Sequence, residues 1–409
     1  MPPLRPCGSG LRRVVWYVTL ACVAALPVHA ASPEAHRLNE SAVAFTAQGR
    51  YEEAAALFTQ ALRLSPDDEV IRRNLARLRT VLGHRFLQAG LLEKAEEQYQ
   101  TAIDLVPDEL PALLGLGDVQ LRRRQPKAAA ETYRRAVRLD PQNPEAHIRL
   151  GEAYYNQGDL GAALSAWEWA LGLRPQDGWL RQRVEGVQRE ARIQGGYRSR
   201  VGQHFTVIYE GERREDAARE LLQILERAYA DVGYELGAYP PHDIQTIFYS
   251  DADFTGATGL SAKAGGFYHL LDGKIRIALK GLTLGDAVPV LYHEYTHALI
   301  YAITQGKTPP RWMDEGLAVH MERKRAAEFK QEAIRQARAG IVPLLDASPY
   351  SHGSVAVEYL IERHGMASIQ QLLRQLGDGL PFAQAFRETF RTDLATFQRS
   401  VQDLLMRGD

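Results

Sequence analysis

Cysteine is almost absent from this sequence: its only two, Cys7 and Cys22, both fall within the first 30 residues. A chain that loses that stretch has no disulfide and no thiolate for holding a metal, whatever the surrounding redox state. A long hydrophobic run is missing too. The apolar stretch Val14 to Leu26 is shorter than the roughly 20 residues needed to cross a bilayer. There is also no excess of one charge, with 49 Lys and Arg against 50 Asp and Glu. Nothing in that balance suggests a nucleic-acid partner.

What the first stretch does contain is directional. Met1 to Arg13 carries Arg5, Arg12 and Arg13 and no acid, the apolar run follows, and Pro27-Val28-His29-Ala30 closes it. That order reads as a signal peptide over residues 1–30 with cleavage after Ala30, and so as a protein exported to a bacterial periplasm. Thr19-Leu20-Ala21-Cys22 offers the alternative of a lipoprotein anchored through Cys22. Removing residues 1–30 takes away three of the 49 basic residues and no acid, leaving a net charge of −4. The remaining chain is long enough for two or three domains with substantial cores and has no transmembrane span.

From residue 34 to residue 175 the sequence repeats. Gly49, Tyr51, Ala54, Phe58, Ala61 and Pro66 align with Gly90, Leu92, Ala95, Tyr99, Ala102 and Pro107. The pattern returns at Ala129, Tyr133, Ala136 and Pro141, and again at Gly158, Leu160, Ala163, Trp167, Ala170 and Pro175. Pro107, Pro141 and Pro175 are spaced by 34 residues, the period of a tetratricopeptide repeat. The first interval is 41, and seven extra residues are about two helical turns, which a longer helix absorbs with its apolar face in phase. Ala42, Gly83, Gly117 and Gly151 take the small position where paired helices touch. Four helical hairpins, none able to bury its apolar face alone, are expected to stack into an all-α solenoid whose concave face binds a protein partner. Arg122-Arg123-Arg124 reads as a solvated helix end. Residues 176–198 read as a capping or connecting helix with Gly195-Gly196 as a hinge.

The pattern then changes to an α+β domain over residues 199–409. Phe205 to Tyr209 and Ile244 to Tyr249 read as strands, with an amphipathic helix from Glu215 to Val232 between them. Gly265 to Leu271 and Ile275 to Leu279 flank Asp272-Gly273, the dipeptide favoured in a tight hairpin turn. A small sheet is therefore expected before Asp286 to Ala298, which reads DAVPVLYHEYTHA.

Val288, Val290, Leu291, Ala298, Leu299 and Ala302 place that segment on a buried helix, with Asp286 as its cap. On such a helix His293 and His297 are about 40° apart around the axis and one turn apart along it, so both rings reach one metal ion. Glu294 lies on the flank, where its carboxylate can deprotonate a water rather than ligate. A zinc site with an open position needs a third protein ligand. Glu315, in Arg311-Trp312-Met313-Asp314-Glu315-Gly316-Leu317-Ala318 at the head of the next helix, is the candidate. That helix is expected to run to about Ala339. Helices from Ser351 to Arg363, Ala367 to Gln375, Pro381 to Glu388 and Leu394 to Met406 are expected to form a C-terminal lobe. His269, His320 and His364 are not preferred as ligands.

His293-Glu294-x-x-His297 followed by the glutamate of W-x-x-E-G-L-A resembles the gluzincin metallopeptidases, and most of all the peptidase MA-like domains. Tyr350-Ser351-His352-Gly353 is similar to the aminopeptidase Y-x-K-G segment, with His352 where the family has lysine. The resemblance implies one Zn2+ held by His293, His297 and Glu315, Glu294 as general base, and Tyr350 steadying the oxyanion. It also implies a sheet edge that pairs with substrate, for which Gly265, Gly266 and Phe267 are candidates beside the plainer reading of a hairpin bend. His352 either donates to the same oxyanion or caps a helix, and Asp314 is a candidate partner for a zinc histidine. No stretch resembles the aminopeptidase G-x-M-E-N segment, which points towards an endopeptidase. Two alternatives stay open. One is a catalytically silent peptidase-like domain within a tetratricopeptide scaffold, and the other a structural zinc site, which would need a fourth protein ligand.

Overall fold

The computed structural model describes residues 32–211, 214–240, 243–262, 265–270, 272–279, 284–322, 326–338 and 348–407. The expected signal peptide, its cleavage site and Cys22 lie outside the described residues. Among those described, no helix is long and apolar enough to cross a membrane. The chain divides into two compact units, Met1–Ile71 and Arg72–Asp409.

In the first unit α1 (Pro33–Ala47) and α2 (Tyr51–Leu64) form a helical hairpin. It closes over the small residues Ala42, Ala54 and Ala61, with Phe58 buried beside them. Helix α3 (Glu69–Gln88) begins in that unit and continues into the second.

The second unit opens with α4 (Leu92–Leu105), α5 (Leu110–Arg122), α6 (Pro126–Leu139), α7 (Pro144–Gln157) and α8 (Leu160–Leu173). Pro111, Pro126 and Pro144 sit in first turns, where a missing N–H costs nothing. The small positions work as the repeat demands. A Cβ on Gly83 would meet the Tyr99 ring at 2.7 Å, one on Gly117 the Tyr133 ring at 2.3 Å, and one on Gly151 Trp167 at 2.4 Å. Each ring of a second helix thus lies directly on the backbone of a first helix.

The arginine cluster expected in solvent is in fact engaged. Arg122 donates to the Leu87 carbonyl, and Arg123 pairs with Glu93 and Glu96 at 2.8 and 2.7 Å. Arg124 reaches Tyr268 Oη at 3.1 Å. Arg122 remains exposed and Arg123 and Arg124 are half-buried, so the helix end stays solvated while each guanidinium finds a partner.

Helix α9 (Gly178–Gln194) packs on α8 and leads into β1 (Tyr197–Val201), so the sheet begins at Tyr197 rather than after residue 198. Gly195 and Gly196 are a two-residue link. The elements beyond it are fastened to the solenoid by buried charges, which does not suit a hinge. Arg276 lies 2.8 Å from Asp272 Oδ2 and 3.4 Å from Glu190 Oε1 of α9, and Tyr155 Oη donates to Glu190 Oε2 at 2.7 Å. Lys274 Nζ donates to the Tyr155 carbonyl at 2.7 Å, and burial pushes its ammonium down to about 8 against the opposing pull of Asp272 and Glu190. Such charges persist in the interior only because each is paired.

The sheet is mixed, in the order β1, β2 (Phe205–Glu210), β3 (Ile244–Tyr249), β5 (Ile275–Ala278), β4 (Gly266–Tyr268). β2 and β3 are parallel through the crossover helix α10 (Glu215–Leu236), and β3 is parallel to β5. Helix α11 (Asp251–Thr258) follows β3. β4 runs antiparallel to β5 and forms one end of the sheet. The link between them is not the tight turn read from Asp272-Gly273. Tyr268 faces Ile275 and His269 N–H bonds to the Lys274 carbonyl, so residues 269–274 form the connection. It is wide because Asp272 turns inward to Arg276 instead of outward to water.

Helix α12 (Leu284–Ile303) lies against α10 and β4, and α13 (Arg311–Glu322) packs on α12. Asp286 sits inside the first turn of α12 and is not its cap, because the helix starts two residues earlier. The single helix expected from Arg311 to about Ala339 is two, α13 and α14 (Ala326–Arg338). α13 packs on α12 and α15 (Ser351–His364), whereas α14 packs on α15 and α18 (Leu394–Arg407), surfaces that one straight rod cannot share. With α16 (Met366–Gly377) and α17 (Phe382–Phe390) these close the lobe, each helix from α15 on within two residues of its expected bounds. One apolar core joins sheet and lobe, running from Phe205 and Phe248 through Leu291, Tyr295 and Leu317 to Phe386 and Phe397.

Candidate metal centre

Helix α12 turns Leu291, Tyr295, Ala298 and Leu299 into the core. On another side it presents His293, Glu294 and His297, the first two largely buried. Helix α13 lies alongside and brings Glu315 to the histidines. His293 Nε2 and His297 Nε2 are 3.1 Å apart, and Glu315 Oε2 lies 3.3 Å from the first and 3.5 Å from the second. Ligands about 2.0–2.1 Å from a tetrahedral zinc stand about 3.3–3.4 Å from one another, so these atoms form three corners of such a tetrahedron. Glu315 Oε2 is buried without a hydrogen-bond donor. Three facing acceptor atoms with an orphaned carboxylate oxygen are the environment a divalent cation satisfies. Among the described residues, His293, His297 and Glu315 are the one group arranged to hold a metal, and no fourth side chain completes the set.

The outer nitrogens are held as well. His293 Nδ1 lies 2.7 Å from Glu322 Oε1, and His297 Nδ1 lies 3.0 Å from Asp314 Oδ2, off the line of an ideal hydrogen bond. A carboxylate on Nδ1 fixes the tautomer that leaves Nε2 as the donor atom. Asp314 is thus where the sequence suggested. Glu322 was missed, although it follows Glu315 by seven residues, two turns along the same face of α13.

With no cation present the two rings compete for protons. Burial would lower His293, but Glu315 and Glu322 outweigh it and raise the pKa. His297 is raised well above the ordinary range, since Asp314 overcomes the cost of burial. Glu315 is buried too, yet the two histidines hold its carboxyl well below the usual range.

Glu294 is buried at 7% exposure, and burial pushes its carboxyl upward while His293 and His297 oppose the rise. The helix that carries it packs on β4. Ala278 N–H bonds to the Gly265 carbonyl and His269 N–H to the Lys274 carbonyl. Pairing therefore alternates so that residues 265, 267 and 269 of the hairpin face β5, while Gly266 and Tyr268 turn their backbone groups to the outer edge. Of the candidate edge Gly265, Gly266 and Phe267, only Gly266 presents its N–H and C=O outward. Tyr268 is the residue the sequence reading left out.

Tyr350 is brought to the site by a backbone contact. A Cβ on Gly316 would meet the Gly353 carbonyl oxygen at 2.4 Å, and one on Gly353 would meet the Trp312 oxygen at 2.2 Å. Helices α13 and α15 touch through these glycines, and the Tyr350 ring stacks 6.0 Å from His293, with burial and the nearby Glu315 charge raising the pKa of its hydroxyl. Tyr350 remains 40% exposed. His352 does not join it. Two residues along a helix is about 200°, and its ring is buried with Nδ1 3.3 Å from Ser351 Oγ. Both readings of His352, oxyanion donor and cap, give way to a residue packed in the interior.

Models of the tetratricopeptide repeat family match residues 45–84, 80–144 and 114–178. Among solved structures the chain is similar to YrrB, described as a TPR protein with an unusual peptide-binding site, at 21% identity over 39% of this chain and 77% of that one, with a TM-score of 0.32. It is also similar to MamA from Desulfovibrio magneticus RS-1, at 20% identity over 39% of this chain and 86% of that one, again with a TM-score of 0.32. No curated protein matches it. Residues 45–178 are therefore tetratricopeptide repeats, a helical solenoid of the kind that binds peptides or proteins.

Proposed function

We propose that the chain is a zinc-dependent metallopeptidase of gluzincin type that works after export, with its repeats recruiting a substrate or partner protein. The observation that carries this reading is the triangle of Nε2, Nε2 and Oε2 atoms with sides of 3.1–3.5 Å, its two rings braced by carboxylates. His293, His297 and Glu315 would hold a zinc ion, which would supply Lewis acidity towards a water and a scissile carbonyl. Glu294, beside the ligands and unable to share their triangle, takes the proton of the attacking water and passes it to the leaving amine. The outer edge at Gly266 and Tyr268 offers backbone groups to an extended peptide. Tyr350, with its ring against His293, is the donor for the developing oxyanion.

The place of Tyr350 favours a second reading. With its ring stacked 6.0 Å from His293, the resting arrangement also suits a latent or silent domain in a tetratricopeptide scaffold. Zinc content and cleavage of a diverse peptide library, measured on residues 31–409 and on Glu294→Gln, separate the two. Zinc in both proteins with cleavage only in the parent supports the peptidase, and internal cleavage positions support an endopeptidase. Stoichiometric zinc without cleavage supports the scaffold, and no zinc overturns the site.

A further inference from the structure

One position of the solenoid departs from its own pattern. The turn after the first helix of a repeat passes through the left-handed region at Gly49, Gly90 and Gly158, with φ of 77°, 72° and 86°, but in the third repeat the residue is Arg124, with φ of 57°. An L residue there costs about 1–2 kcal/mol that glycine avoids. Strain held in place points to a task for the side chain.

The Arg124 side chain leaves the solenoid altogether. Its Nη2 donates to Tyr268 Oη at 3.1 Å and to the Leu270 carbonyl, and its guanidinium lies 4.8 Å from the ring centre of Tyr301 in α12. It passes over Gly273, where a Cβ would come within 2.8 Å of Cζ, so the glycine of the hairpin loop leaves room for it. One side chain thus holds the outer strand, its loop and the helix that carries the histidines. Tyr268, the residue it grips, lies in β4, the strand packed on α12, the helix that carries Glu294.

We infer that Arg124 is a positioning residue for this site: by anchoring Tyr268 and the Leu270 carbonyl it fixes the outer strand against α12, the helix that carries His293, Glu294 and His297. It touches no reacting atom and acts through Tyr268. The rate expected below rests on the hydrolytic reading; the anchoring does not. Lys274 on the Tyr155 carbonyl keeps the hairpin attached when Arg124 is removed, so the expected result is loosening without detachment.

The test uses the full chain with Arg124→Gly, Tyr268→Phe and the double variant. Arg124→Gly gives the third repeat the residue the other turns carry, so the melting temperature and zinc content should hold. Amide exchange in residues 265–274 should rise about tenfold while the rest of the chain is unchanged. On a cleaved peptide, kcat should fall about tenfold or more, and the double variant should be no worse than Arg124→Gly, since both act through one contact. Unchanged exchange in that segment overturns the proposal, as does local loosening with an unchanged kcat. A general rise in exchange with a lower melting temperature also overturns it, by making Arg124 a plain stabiliser. If the parent cleaves nothing while exchange rises locally, the hydrolytic reading fails and the anchoring stands.

Discussion

Glycine is used in opposite ways in the two halves of the second unit. In the solenoid Gly83, Gly117 and Gly151 each receive an aromatic ring, so the gap left by the missing side chain is filled by volume. In the C-terminal domain Gly316 and Gly353 receive backbone, and two helices touch with nothing between them. The first use repeats with the sequence and builds a stack. The second occurs where Glu315 and Tyr350 must meet, and it fixes chemistry rather than shape.

The sharpest break of that comparison is to remove chemistry and leave shape. Glu315→Ala deletes a ligand while keeping Gly316, and is expected to lose zinc entirely, with the helical signal of the solenoid intact. Metal analysis with circular dichroism checks both halves at once. Zinc retained at full stoichiometry would mean that Glu315 is no ligand.

Acid should act on the same half alone. Metal can bind only deprotonated rings, and His293 and His297 are both raised above about 6.5 in the metal-free protein. Zinc affinity should therefore fall as pH drops, starting above that value and approaching about 100-fold per pH unit once both rings compete with protons. Glu315 stays charged throughout and adds nothing to the slope. The metal-free protein has the opposite sign. Groups whose folded pKa is raised contribute stability below the unfolded value and lose it as pH rises through the folded one, so the apo form should weaken towards alkaline pH. Titration calorimetry and melting curves against pH, with and without zinc, test the crossing.

Next comes the outer carboxylate. Glu322→Gln keeps the side-chain shape but weakens the hold on His293 Nδ1, and should lower zinc affinity about 10–100-fold with little change in melting temperature. Competition with a chelator measures it. An unchanged affinity would make Glu322 a buried acid of no consequence to the metal.

What could be read from the sequence divides along the same line. The repeats declared themselves because the packing positions recur, from the second repeat on at an interval of 34 residues, and the family models match residues 45–178. The proposed ligands His293, His297 and Glu315 were legible because helical geometry alone brings the first two together. Asp314 and Glu322 differ only in distance along α13, and the nearer was noticed. Tyr268 and Arg124 gave no signal of their own: one is a strand residue like its neighbours, and the other lies more than 140 residues from the tyrosine it grips. The inward turn of Asp272 was equally hidden, since an Asp-Gly pair looks the same whether its acid faces water or an arginine.

The smallest expected difference tests the glycines themselves. A Cβ at Gly117 meets the Tyr133 ring and one at Gly316 meets the Gly353 carbonyl, so Gly117→Ala and Gly316→Ala both overpack a buried contact and should each cost about 1–3 kcal/mol. Melting temperature alone will hardly tell them apart. The distinction lies in zinc: Gly117→Ala moves a ring within a repeat and should leave affinity as it was, whereas Gly316→Ala pushes α13 from α15 beside the ligand and should weaken it. Equal zinc affinity in the two variants would mean that the backbone contact serves only packing, and the two uses of glycine would be one.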